Sequence, residues 1–264
     1  MKNAKTYESA MRKFLGQLPK RRHVAPTDPM EVLLESILLS DATGQQAQEA
    51  LDALKQEYVD LNDLRVSPPR EIAEVIGEEY PRAREKALGI VAVLGNLSVA
   101  SGPLSLEHLR ELPKRELRRR LGELGLDSFA SAAVTLRVFG GHAVPVDATL
   151  VEVLELDGLA HPGSSVEDVQ GFLERVVNQK DALEVFEGLR IHVEKHGKIL
   201  AKHRQSAQAA VEEAEERAQK QAEQEAAAAA AAGSALAAAQ LKARQAARAT
   251  SQASKSARRS ARKS

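Results

Sequence analysis

Apolar residues recur every three to four positions along most of this chain, which is the spacing of one face of an α-helix. In the first such segment Tyr7, Met11, Phe14 and Leu18 fall on one side. No segment alternates apolar and polar residues for the length of a strand, and Val144–Val146 is too short to count as one. The pattern predicts an all-α body of about ten to twelve helices with short connections. The predicted helices are Lys5–Leu18, Met30–Ser40, Gln45–Tyr58, Pro69–Ile76, Arg82–Leu97, Leu104–Leu109, Pro113–Leu121, Phe129–Phe139, Pro145–Leu156, Ser165–Val177 and Ala182–His196.

Helix-breaking and capping residues divide these segments. Asp28 before Pro29 is a typical N-cap with proline in the first turn. The helix that follows is apolar on most sides and is predicted to lie in the core. Gly140 and Gly141 are predicted to end a helix as C-cap glycines. They lack the preceding strand that a nucleotide-binding loop requires.

The composition changes near Ser206. Residues 206–264 are rich in strong helix formers and poor in large apolar side chains, so this tail is predicted to be disordered or partly helical and to bury no core. The formal net charge is zero, but residues 241–264 carry eight Lys or Arg and no acid, which leaves residues 1–240 with a net charge of −8 (0 − 8). The tail is predicted to contact DNA phosphates through Lys242, Arg244, Arg248, Lys255, Arg258, Arg259, Arg262 and Lys263.

Composition also excludes several classes of protein. The chain has no cysteine, which excludes disulfides, iron–sulfur clusters and thiolate zinc sites. It has no run of about 20 apolar residues, and its first residues are charged without an apolar signal core. We therefore expect a protein of the cytoplasm with no membrane partner.

The segment Gly122–Leu150 contains the most informative order of elements. It predicts a helix, a short turn at Gly125, a second helix, and a loop that delivers one acid, Asp147. Three other stretches support it: LLSDAT at 38–43, EYPRAREKA at 79–87 and the leucine-rich run at 106–112. In this order, over about residues 28–200, the motifs resemble the endonuclease III branch of the helix-hairpin-helix DNA glycosylases.

The resemblance implies a two-lobed, all-α fold that binds double-stranded DNA in a cleft holding Asp147. One lobe would comprise residues 26–142 and the other residues 1–25 with 143–205, followed by the tail at 206–264. We expect a bacterial, nucleoid-associated monomer that acts in DNA base-excision repair. No cofactor is expected, because the family's iron–sulfur cysteines are absent.

In the family, the hairpin offers backbone amides and a helix N-terminus to a DNA phosphate. The resemblance places that hairpin at Gly125, Leu126, Asp127 and Ser128, where Asp127 replaces the second glycine. A carboxylate there competes with the phosphate for the helix N-terminus. The preceding run Arg118, Arg119 and Arg120 fits either phosphate contacts or a solvated helix face.

The resemblance also assigns catalytic positions. Phe129 occupies the place of the lysine nucleophile of bifunctional members, and phenylalanine forms no Schiff base, so a lyase step through it is excluded. Asp147 lies 18 residues later, the family spacing for the acid that assists base departure through an oxocarbenium-like state. Asp147 also fits a helix N-cap. Asp41 replaces the glutamine that fills the gap left by a flipped base.

Three functions remain open at this point. The first is a monofunctional N-glycosylase, a hydrolase that uses Asp147 and water. The second is a catalytically inactive DNA-binding protein whose basic tail, similar to those of linker histones and nucleoid proteins, binds DNA non-specifically. The third is a scaffold with a coiled coil near Ala209–Gln240, but apolar heptad positions are sparse there. His192 and His196 are one helical turn apart, but no third ligand is evident, so no metal site is predicted.

Overall fold

The apolar periodicity of the sequence corresponds to α-helices throughout the computed structural model. The structure describes residues 4–19, 28–77, 79–206, 208, 209, 213 and 217–221, and no strand occurs among them, which confirms the all-α prediction. Short 3₁₀ helices span Glu107–Leu109 and Gln179–Asp181. The α-helices are α1 (Ala4–Leu15), α2 (Pro29–Leu39), α3 (Gly44–Glu57), α4 (Leu61–Val66), α5 (Pro69–Ile76), α6 (Ala83–Ser101), α7 (Lys114–Glu123), α8 (Ser128–Arg137), α9 (Ala148–Leu156), α10 (Val166–Val176) and α11 (Ala182–Lys195).

The predicted helices differ from the observed ones mainly at their ends. The helix predicted at Leu104–Leu109 is wrong in extent, because only Glu107–Leu109 form a 3₁₀ turn. The helix predicted from Pro145 begins three residues later, because the side chain of Asp147 caps it. Helix α4 was not predicted; it is a six-residue helix that begins where Asp60 accepts hydrogen bonds from two backbone amides. Among the described residues, no helix is long and apolar enough to span a membrane.

Capping contacts fix the ends of the predicted core helices. The carboxylate of Asp28 accepts a hydrogen bond from Met30 N at 2.8 Å, as predicted. After α8, Gly140 adopts a φ of 62° and the Gly141 amide donates to Thr135 O at 2.8 Å. A Cβ at Gly141 would lie 2.7 Å from Thr135 Cγ2, so this close return of the chain requires glycine.

Helix α2 is the centre of the core, as its apolar character predicts. It packs against α3, α6 and α8, and six of its apolar residues are buried. The chain divides into two units at Leu200, and the helices given above lie in the first unit. Within the first unit, α1 packs against α10, and α11 packs against α8 and α9. The division into lobes of residues 26–142 and of residues 1–25 with 143–205 stays a prediction.

A buried lysine holds the C-terminal end of α2 in place. Lys86 Nζ on α6 donates to Leu38 O and Ser40 O, each at 2.5 Å, and to Ile37 O at 3.2 Å. Tyr80 Oη donates to Leu38 O at 2.8 Å. A cation is favourable at a helix C-terminus, but burial lowers the pKa of Lys86 to about 8. These bonds shape the turn from Ser40 into α3.

The variant Lys86→Met should lower the free energy of unfolding by about 1–3 kcal/mol, because buried carbonyl oxygens at the end of α2 lose their donor. Arg84→Met is the matched control, since Arg84 is exposed on the same helix, and it should change stability by less than about 0.5 kcal/mol. Urea unfolding followed by circular dichroism measures both. Equal stability of the two variants would contradict the anchoring role of Lys86.

Candidate functional site

The candidate catalytic residue, Asp147, lies at the N-terminus of α9 and serves as its N-cap. Its Oδ1 accepts a hydrogen bond from Leu150 N at 2.8 Å. Its Oδ2 accepts one from Asp41 N at 3.0 Å, across the turn between α2 and α3. Only 1% of the side chain is exposed. The local sequence explains the position, because Asp before a helix start is a preferred cap.

Arg190 on α11 neutralises this carboxylate. Its Nη1 lies 3.0 Å from Asp147 Oδ2, and its Nη2 donates to Ala42 O. The guanidinium is itself buried, and its Nε has no hydrogen-bond partner among the described residues. A carboxylate that stabilises a cationic sugar must reach that sugar with its charge available. In this structure the charge of Asp147 is directed into the protein, toward Arg190.

Asp41, whose backbone amide bonds to Asp147, holds its own carboxylate in two further contacts. It adopts a left-handed backbone conformation with φ 56°. Its Oδ1 accepts from Thr149 Oγ1 at 3.2 Å, and its Oδ2 lies 3.3 Å from Arg82 Nη1. The position that resembles the family's gap-filling glutamine therefore carries an acid bound to two neighbouring side chains.

The predicted hairpin is a Schellman motif followed by a capped helix. Leu126 N donates to Leu121 O at 3.2 Å and Gly125 N to Gly122 O at 2.9 Å, while Gly125 has a φ of 102°. These two amides therefore bond within the chain. Asp127 then caps α8 by accepting from Ala130 N at 2.7 Å. The helix N-terminus that would face a phosphate carries a carboxylate of its own.

The position of the family's lysine nucleophile belongs to the core. Phe129 is buried, and its ring centroid lies 6.2 Å from that of Phe186 on α11. An aromatic pair at this distance stabilises the packing of α8 on α11. The surroundings of Phe129 therefore agree with the exclusion of a Schiff-base step.

The three arginines before the hairpin all form ion pairs within the protein. Arg118 also donates to His142 O at 3.3 Å, which ties α7 to the loop after α8. Phosphate contacts by these arginines, and the alternative of a solvated helix face, stay predictions. The pairs are Arg118–Glu174 at 2.5 Å, Arg119–Glu116, Arg119–Glu123 and Arg120–Glu123 at 3.2 Å.

The basic tail positions lie outside the described residues. The structure therefore neither brings them to the hairpin nor separates them from it. These positions are Lys242, Arg244, Arg248, Lys255, Arg258, Arg259, Arg262 and Lys263.

Comparison with solved structures identifies the fold. A trapped endonuclease III–DNA covalent intermediate, the estranged-adenine complex, is similar with a TM-score of 0.54 and 18% identity, covering 72% of this chain and 85% of that chain. A non-covalent endonuclease III–DNA complex gives 0.52 and 19% with the same coverage. The Clostridium acetobutylicum 8-oxoguanine glycosylase/lyase, with DNA containing cytosine opposite 8-oxoG, gives 0.52 and 14%, covering 74% of this chain and 71% of that one.

The chain has the helix-hairpin-helix DNA glycosylase fold. No protein-family model matches the sequence, and no curated protein is a significant match. At 14–19% sequence identity, these similar structures show the fold of this chain and not its activity.

The sequence did not predict the contacts of three side chains: Arg190, Lys86 and Asp157. Arg190 lies four residues after Phe186 and three before Val193, so its charge falls on the apolar face of α11. A charge on an apolar helix face is the sequence feature that could have revealed its buried role. The sequence places Lys86 only within the motif at 79–87 and gives no sign of its buried contacts. The third ligand candidate for His192 and His196 was also missed: Asp157 lies close to both.

A double-mutant cycle tests the buried pair. Asp147→Asn and Arg190→Met should each lower the free energy of unfolding by about 3–5 kcal/mol, because each leaves one charge buried without its partner. The double variant should lose less than the sum of the two, since it leaves no unpaired charge. Urea unfolding gives all three values.

The control is the exposed pair Arg70–Glu74, with side chains 89% and 57% exposed. Arg70→Met should cost less than about 1 kcal/mol. Additive losses for Asp147→Asn and Arg190→Met would contradict a direct ion pair.

Proposed function

We propose that this chain is a DNA-binding protein that keeps the glycosylase fold without glycosylase chemistry. The burial of Asp147 and its pairing with Arg190 carry the proposal. Base removal through a carboxylate requires that group beside the sugar, with its negative charge available to an oxocarbenium-like state. Asp147 caps α9 and neutralises Arg190, so it supplies neither a position beside the sugar nor an available negative charge.

Two further substitutions support the same conclusion. Phe129 fills the place of the nucleophile with a buried ring, so a covalent route has no nitrogen to use there. Asp127 puts an anion at the hairpin, and this negative charge weakens binding of a DNA phosphate there. Base flipping requires the DNA backbone to be held in place. Each change removes a different requirement of the reaction.

DNA binding is supported by the fold and by the distribution of charge. The similar structures of endonuclease III are complexes with DNA. In this chain, residues 1–240 have a net charge of −8 and the last 24 residues a charge of +8. Phosphate contacts supply most non-specific affinity for DNA. The tail is therefore the expected source of electrostatic attraction, and it brings the folded body to the DNA.

The chemical test is single-turnover base release from a panel of damaged and mismatched duplexes, with an active glycosylase run in parallel. Wild type and Asp147→Asn should both release no base. The matched control is Asp168→Asn, an exposed acid in the first turn of α10. Release by wild type and by the control that disappears in Asp147→Asn would overturn the proposal and identify a monofunctional glycosylase.

The binding test measures DNA affinity against salt concentration by fluorescence anisotropy. Replacing the eight tail cations by Gln should remove most of the salt dependence, whose slope is about −0.9 per phosphate contact, or about −7 if all eight cations bind. A chain ending at Gln240 should behave like the Gln variant. The matched control replaces the six acids between Glu212 and Glu225 by Gln, and should bind at least as tightly as wild type. An unchanged slope without the tail cations would place the affinity in the folded body.

A further inference from the structure

We propose that Asp157, His192 and His196 form a binding site for a divalent transition metal of the Zn²⁺ type. Each residue offers one ligand atom, and these atoms lie within 4.8 Å of one another. Asp157 is the C-cap of α9, His192 lies in the last turn of α11, and His196 is the C-cap of α11. The site is separate from the Asp147 pair and does not depend on the proposed function.

The distances are close to those of a tetrahedral site. Asp157 Oδ2 lies 2.6 Å from His192 Nε2, and Asp157 Oδ1 lies 3.4 Å from His196 Nε2. Zinc binds imidazole nitrogen at about 2.0–2.1 Å and carboxylate oxygen at about 2.0–2.2 Å, which separates tetrahedral ligand atoms by about 3.4 Å. The two distances involve different oxygens of Asp157, so a small movement must bring one oxygen to about 3.4 Å from both nitrogens.

The hydrogen bonds of His196 favour a cation. Its Nδ1 lies 2.9 Å from His192 O, and a carbonyl only accepts, so Nδ1 carries the proton. In the neutral ring, Nε2 then presents a lone pair to the Asp157 carboxylate. Two electron-rich atoms repel unless a proton or a metal ion lies between them. An Nδ1–H bonded to a backbone carbonyl is also the usual orientation for a histidine that binds metal through Nε2.

The surroundings keep the ligands in place and leave access to solvent. The ring of Phe14 meets His192 edge-on at a centroid distance of 4.7 Å, and the two imidazoles are 4.2 Å apart. The three side chains are 19–26% exposed. Three protein ligands leave a fourth tetrahedral position for water. Two imidazoles with one carboxylate suit zinc or cobalt rather than calcium or magnesium, which prefer all-oxygen sites.

A bound metal would join α9 to α11, the helices that carry Asp147 and Arg190. An ion that binds the folded chain and not the unfolded one raises the midpoint of thermal unfolding. The site is therefore expected to couple metal binding to the stability of this pair of helices.

The test is calorimetric titration of the untagged, metal-free full chain with ZnCl₂ alone. We expect one ion per chain and a raised midpoint of thermal unfolding. Asp157→Asn and His196→Ala should each weaken Zn²⁺ binding at least about tenfold. The matched control is His108→Ala, an exposed histidine in another part of the chain, which should bind as wild type does. Co²⁺ should give the visible absorption of a four-coordinate site in wild type and in the control only.

Circular dichroism of each metal-free variant separates loss of the site from loss of the fold. Any variant without the wild-type spectrum is replaced by His196→Gln, which keeps the volume of the side chain. No Zn²⁺ binding by wild type would overturn the proposal. Equal binding by wild type, Asp157→Asn and His196→Ala would overturn it as well.

Discussion

The buried pair of Asp147 and Arg190 is the interaction on which the geometry of the site depends. It joins three segments that are distant in sequence: the turn after α2, the start of α9 and the middle of α11. Removing two charges from water costs several kcal/mol per ion, so such a pair persists only where its hydrogen bonds are nearly complete. Asp147 meets that condition with three donors. The proposed loss of base removal rests on this burial and on the pairing with Arg190.

The rest of the site follows from this constraint. The Asp41 amide must point inward to reach Asp147, and the left-handed conformation of Asp41 permits this. That conformation exposes the Asp41 carboxylate to Arg82 and Thr149. Lys86 secures the other side of the turn through the carbonyl of Ser40. An acid at the position that resembles the family's gap-filling glutamine is therefore compatible with the turn.

Much of the fold was predictable because helical periodicity is a local property. Helix α2, the cap at Asp28 and the turn at Gly125 follow from neighbouring residues. The start of α9 was less predictable, because it depends on the side chain of Asp147 competing with the backbone. The partners of the charged groups were not predictable. Arg190 lies 43 residues from Asp147, and Asp157 lies 35 residues from His192, so only the packing of α9 on α11 brings each set together.

The packing of α9 on α11 connects the Asp147–Arg190 pair with the cluster of Asp157, His192 and His196. Asp147 begins α9 and Asp157 ends it, and both meet side chains of α11. A helix held at both ends against one neighbour cannot shift along that neighbour without breaking a polar contact. In an active glycosylase fold, the acid at the start of this helix has to approach a sugar. Here the contacts at both ends oppose such a movement.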